Sequence, residues 1–72
     1  MTRRFEFVGG NSAKFWKASI EDSTVIVIFG RIGVEGQQVT KSFADHAAAL
    51  KHTDKLIGEK LSKGYLEVTI AQ

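Results

Sequence analysis

No cysteine occurs in the 72 residues. The chain therefore has no disulfide frame and no thiolate metal ligands, and its stability must come from packing and hydrogen bonding. That suits a reducing compartment, and the expected location is the cytoplasm. Long apolar runs are also missing. Nothing approaches the roughly 20 residues that a bilayer-spanning helix needs, and Met1-Thr2-Arg3-Arg4-Phe5 contains no apolar stretch long enough for a secretory signal. No membrane partner is expected. Length excludes a second domain, because so short a chain withdraws only about 60% of its unfolded surface from water, enough for one core. The expected organisation is a single domain over residues 1–72. Nor is one charge in large excess: ten Lys+Arg face eight Asp+Glu, for a net charge of +2 and a pI near 9.2. Total charge does not identify a polyanion binder, so only clustering by the fold can make that case.

What is present is ordinary globular material, with 43% hydrophobic and 25% charged residues and seven aromatics: five Phe, Trp16 and Tyr65. The pattern changes once, near Ser42 to Asp45, from β-branched and aromatic alternation to Ala, Leu, Lys and Glu at helical spacing. Before that point the alternation predicts strands at Arg3 to Val8, Lys14 to Glu21, Thr24 to Arg31 and Gln37 to Phe43. The third of these is apolar on both faces and reads as central. Gly9-Gly10-Asn11, Asp22-Ser23 and the Gly33 to Gly36 segment supply the turns. A helix is predicted from about His46 to Lys63. Ala49, Leu50, Thr53, Ile57 and Leu61 lie on its inward stripe, while Lys51, Lys55, Glu59 and Ser62 face away. Asp45 is placed to cap its start and Gly64 to end it, with Tyr65 folding back on the last turn. Leu66 to Ile70 alternates as a short fifth strand. The expected class is α+β: an antiparallel sheet of four to five strands packed on one helix in the C-terminal half.

Register brings chemistry together. If Asp22-Ser23 is a two-residue turn, Glu21 faces Thr24, and stepping back pairs Ile20 with Val25, Ala18 with Val27, Trp16 with Phe29 and Lys14 with Arg31. These residues share a face, so two cations stand just beyond an aromatic pair at the open end of the hairpin. Two fates fit Phe29: burial against Trp16, the commoner one for such a residue, or partial exposure beside Arg31 and Lys14. An exposed ring there would stack on a base or sugar without reading sequence, and each Lys or Arg on a phosphate would add a salt-sensitive term.

The segment Phe29-Gly30-Arg31-Ile32-Gly33-Val34-Glu35-Gly36-Gln37 resembles the signature of the WGR domain family: Trp-Gly-Arg, an aliphatic residue, Gly, two variable residues, Gly and Gln. The resemblance extends to Lys14-Phe15-Trp16, Lys41-Ser42-Phe43 and Glu59-Lys60-Leu61-Ser62-Lys63-Gly64-Tyr65, covering roughly residues 4 to 68. Phe29 stands where the family's name calls for Trp, which keeps a flat surface but loses the indole donor. The family occurs in DNA-dependent poly(ADP-ribose) polymerases and as free-standing bacterial proteins. In the polymerases it is a reader of DNA breaks, with the signature Trp stacked on the duplex end and basic groups holding phosphate. The resemblance thus implies Phe29 as stacking residue, Arg31 as signature cation and Lys14 as a basic DNA contact. The signature Arg also relays the bound state to neighbouring domains in the polymerases, a role that has no counterpart within 72 residues.

Gly30, Gly33 and Gly36 do not form a dinucleotide or P-loop fingerprint, since such loops lead into a helix and these lead into a strand. They read as turn residues, with a secondary reading in which the loop's backbone N–H groups help to hold a phosphate. Gln37, Gln38 and Lys41 on the next strand are candidates to line the same groove, against the plainer reading of solvated strand residues. The lysines of the helix read as a wet face. His46 and His52 lack a carboxylate at metal spacing, so no metal or other cofactor is expected. No Ser/His/Asp set accompanies them, and an enzyme is not expected. Two functions remain open. One is a nucleic-acid-binding module, with DNA the expected target, gripping backbone or an end through Lys14, Phe29, Gly30, Arg31, Gln37, Gln38 and Lys41. The other is a protein-interaction module docking a partner on the sheet face or edge.

Overall fold

The computed structural model describes residues 2–68. Five strands and one helix follow in the order β1 (Thr2–Gly9), β2 (Ser12–Glu21), β3 (Thr24–Arg31), β4 (Gln37–Ser42), α1 (His46–Ser62) and β5 (Leu66–Val68). They form the expected α+β architecture. The strands make a single antiparallel sheet of order β4-β3-β2-β1-β5, with the helix against β2 and β3 on one face. Thr69 and Ile70, the end of the predicted fifth strand, lie outside the described residues.

The β2–β3 hairpin has the register that a two-residue turn dictates: Glu21 opposite Thr24, Trp16 opposite Phe29 and Lys14 opposite Arg31. Asp22 adopts φ 56°, the one positive φ at a non-glycine position among the described residues. The short polar side chain of Asp tolerates this conformation in a tight turn. The turn is tied to the helix start, where His46 Nδ1–H donates to the Asp22 carbonyl.

The middle strand is β2, not β3. Phe15 and Trp16, adjacent in β2, are both buried although their side chains project from opposite faces, whereas Ile26 and Ile28 of β3 are only half-buried. Trp16 goes beneath the helix with Phe5, Ala18 and Ile57, its ring centroid 5.8 Å from that of Phe5. Phe15 is covered on the other face by the β3–β4 connection, where Gly36 comes so close that a Cβ there would stand 2.9 Å from the Phe15 ring. A second cluster of Ile20, Val25 and Ala49 fills the opposite end of the sheet–helix interface. Each of the large aliphatic and Phe side chains among these contributes about 1.5–3 kcal/mol by leaving water.

Both helix ends are specified locally. Asp45 accepts a hydrogen bond from the Ala48 N–H at 2.8 Å, satisfying one orphan donor. At the other end Gly64, φ +99°, donates to the Leu61 carbonyl, and Tyr65 donates to that of Lys60. This is a Schellman closure that turns the chain back along the helix. The inward stripe differs from the expected one at its end. Ala49, Thr53 and Ile57 are buried, but Leu61 is 48% exposed and Leu56 packs against the core instead. One turn beyond Ile57, the half-buried position belongs to Lys60.

Candidate functional site

Where β2 begins, β3 ends and α1 finishes, the three elements surround an open groove of about 330 Å³. Strand β2 supplies Ser12, Ala13 and Lys14, with Asn11 just before it, and β3 supplies Phe29, Gly30 and Arg31. Lys60 and Tyr65 close the helix side. A contiguous hollow of about 290 Å³ shares Lys14, Lys60 and Tyr65 and adds Phe7 and Lys63.

Phe29 is 37% exposed, the second of its two open fates. Trp16, its cross-strand partner, packs at a tilt against Phe5 under the helix, and the partly exposed Phe29 ring lines the groove. Arg31 and Lys14 sit one alternation further out and are both exposed. The ion pairs among the described residues are Arg3–Glu67 and Arg4–Glu6, so neither cation of the hairpin end is neutralised by a carboxylate.

Cations and rings alternate along the groove. The Lys14 ammonium lies 5.8 Å from the Phe7 ring centroid, and the Phe7 and Tyr65 centroids are 5.6 Å apart. The Lys60 ammonium is 5.3 Å from Tyr65 and 5.8 Å from Trp16. Burial lowers the Lys60 pKa, as do the neighbouring charges of Lys63 and Lys14, and Glu59 partly offsets them. A multivalent anion entering here would relieve that crowding of like charge.

The sequence candidates fall into three places. Lys14, Phe29, Gly30 and Arg31 line the groove together, and Gln37 lies directly opposite Phe29 on the edge strand. Gln38 pairs with Ile28 and so belongs to the face turned away from the helix. Lys41 pairs with Val25, four residues along β3 from Phe29, and packs its ammonium 5.4 Å from the Phe43 ring at the other end of the sheet. Lys60, Lys63 and Tyr65 were assigned no site from the sequence as residues of a wet helix face and its closure. The signal that could have found them is spacing: Lys60 continues the Thr53–Ile57 stripe by three residues, and Gly64 sends Tyr65 back over that same turn.

The glycines serve the loop beneath this site. Gly33, φ +102°, occupies the third position of a turn closed by the Val34 N–H on the Arg31 carbonyl, where type II geometry requires a positive φ. Gly30 answers a close approach instead, since a Cβ on it would lie 2.9 Å from the Gly36 Cα. No helix of the described residues is long and apolar enough to cross a membrane.

Known proteins are similar to this chain in sequence and in fold. The chain is 40% identical over 65 residues to protein YehF of Escherichia coli K12, covering 90% of this chain and 24% of that protein. It is 37% identical over 67 residues to the uncharacterized E. coli K12 protein YfeS, covering 93% and 28% respectively. A crystal structure of a Bacteroides fragilis protein from a structural genomics consortium superposes with a TM-score of 0.93 at 40% identity, over 96% of this chain and 20% of that one. The chain thus spans about a quarter of the length of the relatives it matches. The WGR domain family model matches residues 1–72, and the chain belongs to the WGR domain family.

Proposed function

We propose that this domain binds nucleic acid, DNA in the first instance, through the backbone or a broken end and without reading sequence. The observation that carries the reading is an exposed ring at Phe29 in a groove lined by the cations Lys14, Arg31 and Lys60, with Lys63 in the adjoining hollow, none of the four in an ion pair among the described residues. A flat ring stacks on any base or sugar for about 1–3 kcal/mol, and each cation on a phosphate releases counterions. Phosphate contacts fix position and carry no sequence information by themselves. Gly30 lines the groove, and Gln37 lies opposite Phe29 on the adjacent edge strand.

The test is a titration of a short duplex bearing a 5′-phosphate end, at two salt concentrations, for wild type, Phe29→Ala, Arg31→Ala and Lys41→Ala. Affinity should fall steeply with salt for wild type. Phe29→Ala should lose affinity with the salt slope kept, and Arg31→Ala should reduce the slope by about 0.9, one phosphate's share. Lys41→Ala should bind as wild type does. Equal binding by all four proteins sinks the site. Absence of binding at submillimolar concentration sinks the function and favours a module that docks a protein on its sheet.

A further inference from the structure

Lys60 differs from the other helix lysines in position and surroundings. Lys51 and Lys55 project into solvent, whereas Lys60 is half-buried, with its ammonium near the Trp16 and Tyr65 rings and opening into the hollow that Lys14 and Lys63 also line. We propose that Lys60 is an acylation site that takes its acyl group from small acyl phosphates, the donor's phosphoryl group being held by Lys14 and Lys63. The proposal rests on the same phosphate-accepting groove as the function above, but requires no nucleic acid.

The chemistry balances without a further reactant. The neutral Lys60 Nζ attacks the acyl carbon, a C–N bond forms, and the C–O bond to phosphorus breaks. Phosphate leaves with the electron pair, and the amine proton passes to water. Three features of the groove favour this at Lys60. Stripping water from the amine and crowding it with positive neighbours raise its neutral fraction relative to a solvated lysine. A hollow walled by cations concentrates a dianionic donor. The Lys14 ammonium also lines the hollow in which the negative charge of the tetrahedral oxyanion would develop. Acylation would remove one positive charge from the groove, and with it a phosphate contact.

The experiment exposes the whole chain, without nucleic acid, to acetyl phosphate and in parallel to the uncharged donor N-hydroxysuccinimidyl acetate. The early rate at each lysine is read by peptide mass spectrometry. With acetyl phosphate, Lys60 should react about threefold or more faster than Lys51 and Lys55, the concentrating effect of a charged cleft being at least of this order. That advantage should shrink on adding inorganic phosphate and in the double variant Lys14→Gln, Lys63→Gln, and should be smaller with the uncharged donor. A Lys60 rate no higher than that of Lys51 overturns the proposal. So does an advantage that is the same with both donors and indifferent to phosphate. Selective acylation together with failed duplex binding would leave this inference standing and remove the function; the reverse result would do the opposite.

Discussion

The Tyr65 N–H donates to the Lys60 carbonyl at 3.1 Å, and the Lys60 ammonium stands 5.3 Å from the centroid of the Tyr65 ring. One helix-ending hydrogen bond therefore aligns a ring with a cation and delivers both to the groove built by the β2–β3 hairpin. The stop signal of the helix and the wall of the site are the same few residues.

Gly64 controls that closure. An Ala at this position would have to hold φ +99° and place its Cβ 3.1 Å from the Phe7 ring. Gly64→Ala should cost about 1–2 kcal/mol, lowering the midpoint of thermal unfolding by roughly 4–8 °C per kcal/mol for a domain of this size. Any loss of duplex affinity beyond the unfolded fraction would report displacement of Tyr65.

Two glycines of one loop should respond unequally. Gly33 and Gly36 both have positive φ, but a Cβ on Gly33 meets nothing within 4 Å, while one on Gly36 falls 2.5 Å from the Phe29 carbonyl oxygen and 2.9 Å from the Phe15 ring. Gly33→Ala should cost about 1–2 kcal/mol from backbone conformation alone. Gly36→Ala adds overpacking of about 1–3 kcal/mol and should be the more damaging in urea unfolding. Equal midpoints would refute the close packing of this loop over Phe15.

Lys60 sets binding against stability. Its pKa is lowered from the ordinary 10.5, first by burial and then by Lys63 and Lys14. The unfolded chain thus holds this proton more tightly than the folded one, and folding is penalised at pH values below the folded pKa. The penalty fades as pH rises through that value towards 10.5. Lys60→Met keeps the aliphatic packing and should equal or exceed wild type in stability at neutral pH and low salt, with the gap narrowing at high pH or high salt and duplex affinity reduced. A variant less stable than wild type at neutral pH would show that the contacts with Trp16 and Tyr65 outweigh the crowding.

Arg3 and Glu67 tie the short strand β5 to β1 through two hydrogen bonds, 2.8 and 2.7 Å. The bond from Arg3 holds the Glu67 carboxyl below its ordinary value of 4.5. Because the folded pKa is depressed, the pair's stabilisation is complete above pH 4.5 and is lost as pH falls through the folded value. The stability difference between wild type and Glu67→Gln should be present at pH 7 and vanish in acid. A difference independent of pH would mean that the carboxylate charge contributes nothing to anchoring β5.

Much of this was written locally. Strand alternation and a two-residue turn at Asp22-Ser23 are enough to put Lys14, Arg31, Trp16 and Phe29 on one face, because side-chain direction in a strand alternates with a period of two and a fixed turn leaves no freedom of register. Asp45 and Gly64 likewise mark the helix ends through backbone groups a few residues away. The tertiary structure decided which strand lies at the centre, which of the paired rings is sealed beneath the helix and which reaches solvent, and where the helix's last turn falls relative to the hairpin. Those depend on burying Ile57 against Trp16 and Phe5 and on folding the Gly36 loop over Phe15, contacts between residues far apart in the chain. No local period encodes them. For that reason Lys60 and Lys63 read as a solvated helix face and Tyr65 only as the residue that folds back on its last turn, whereas in the folded domain the three line the groove and its adjoining hollow, while Lys41, equally basic and on the neighbouring strand, ended at the opposite end of the sheet.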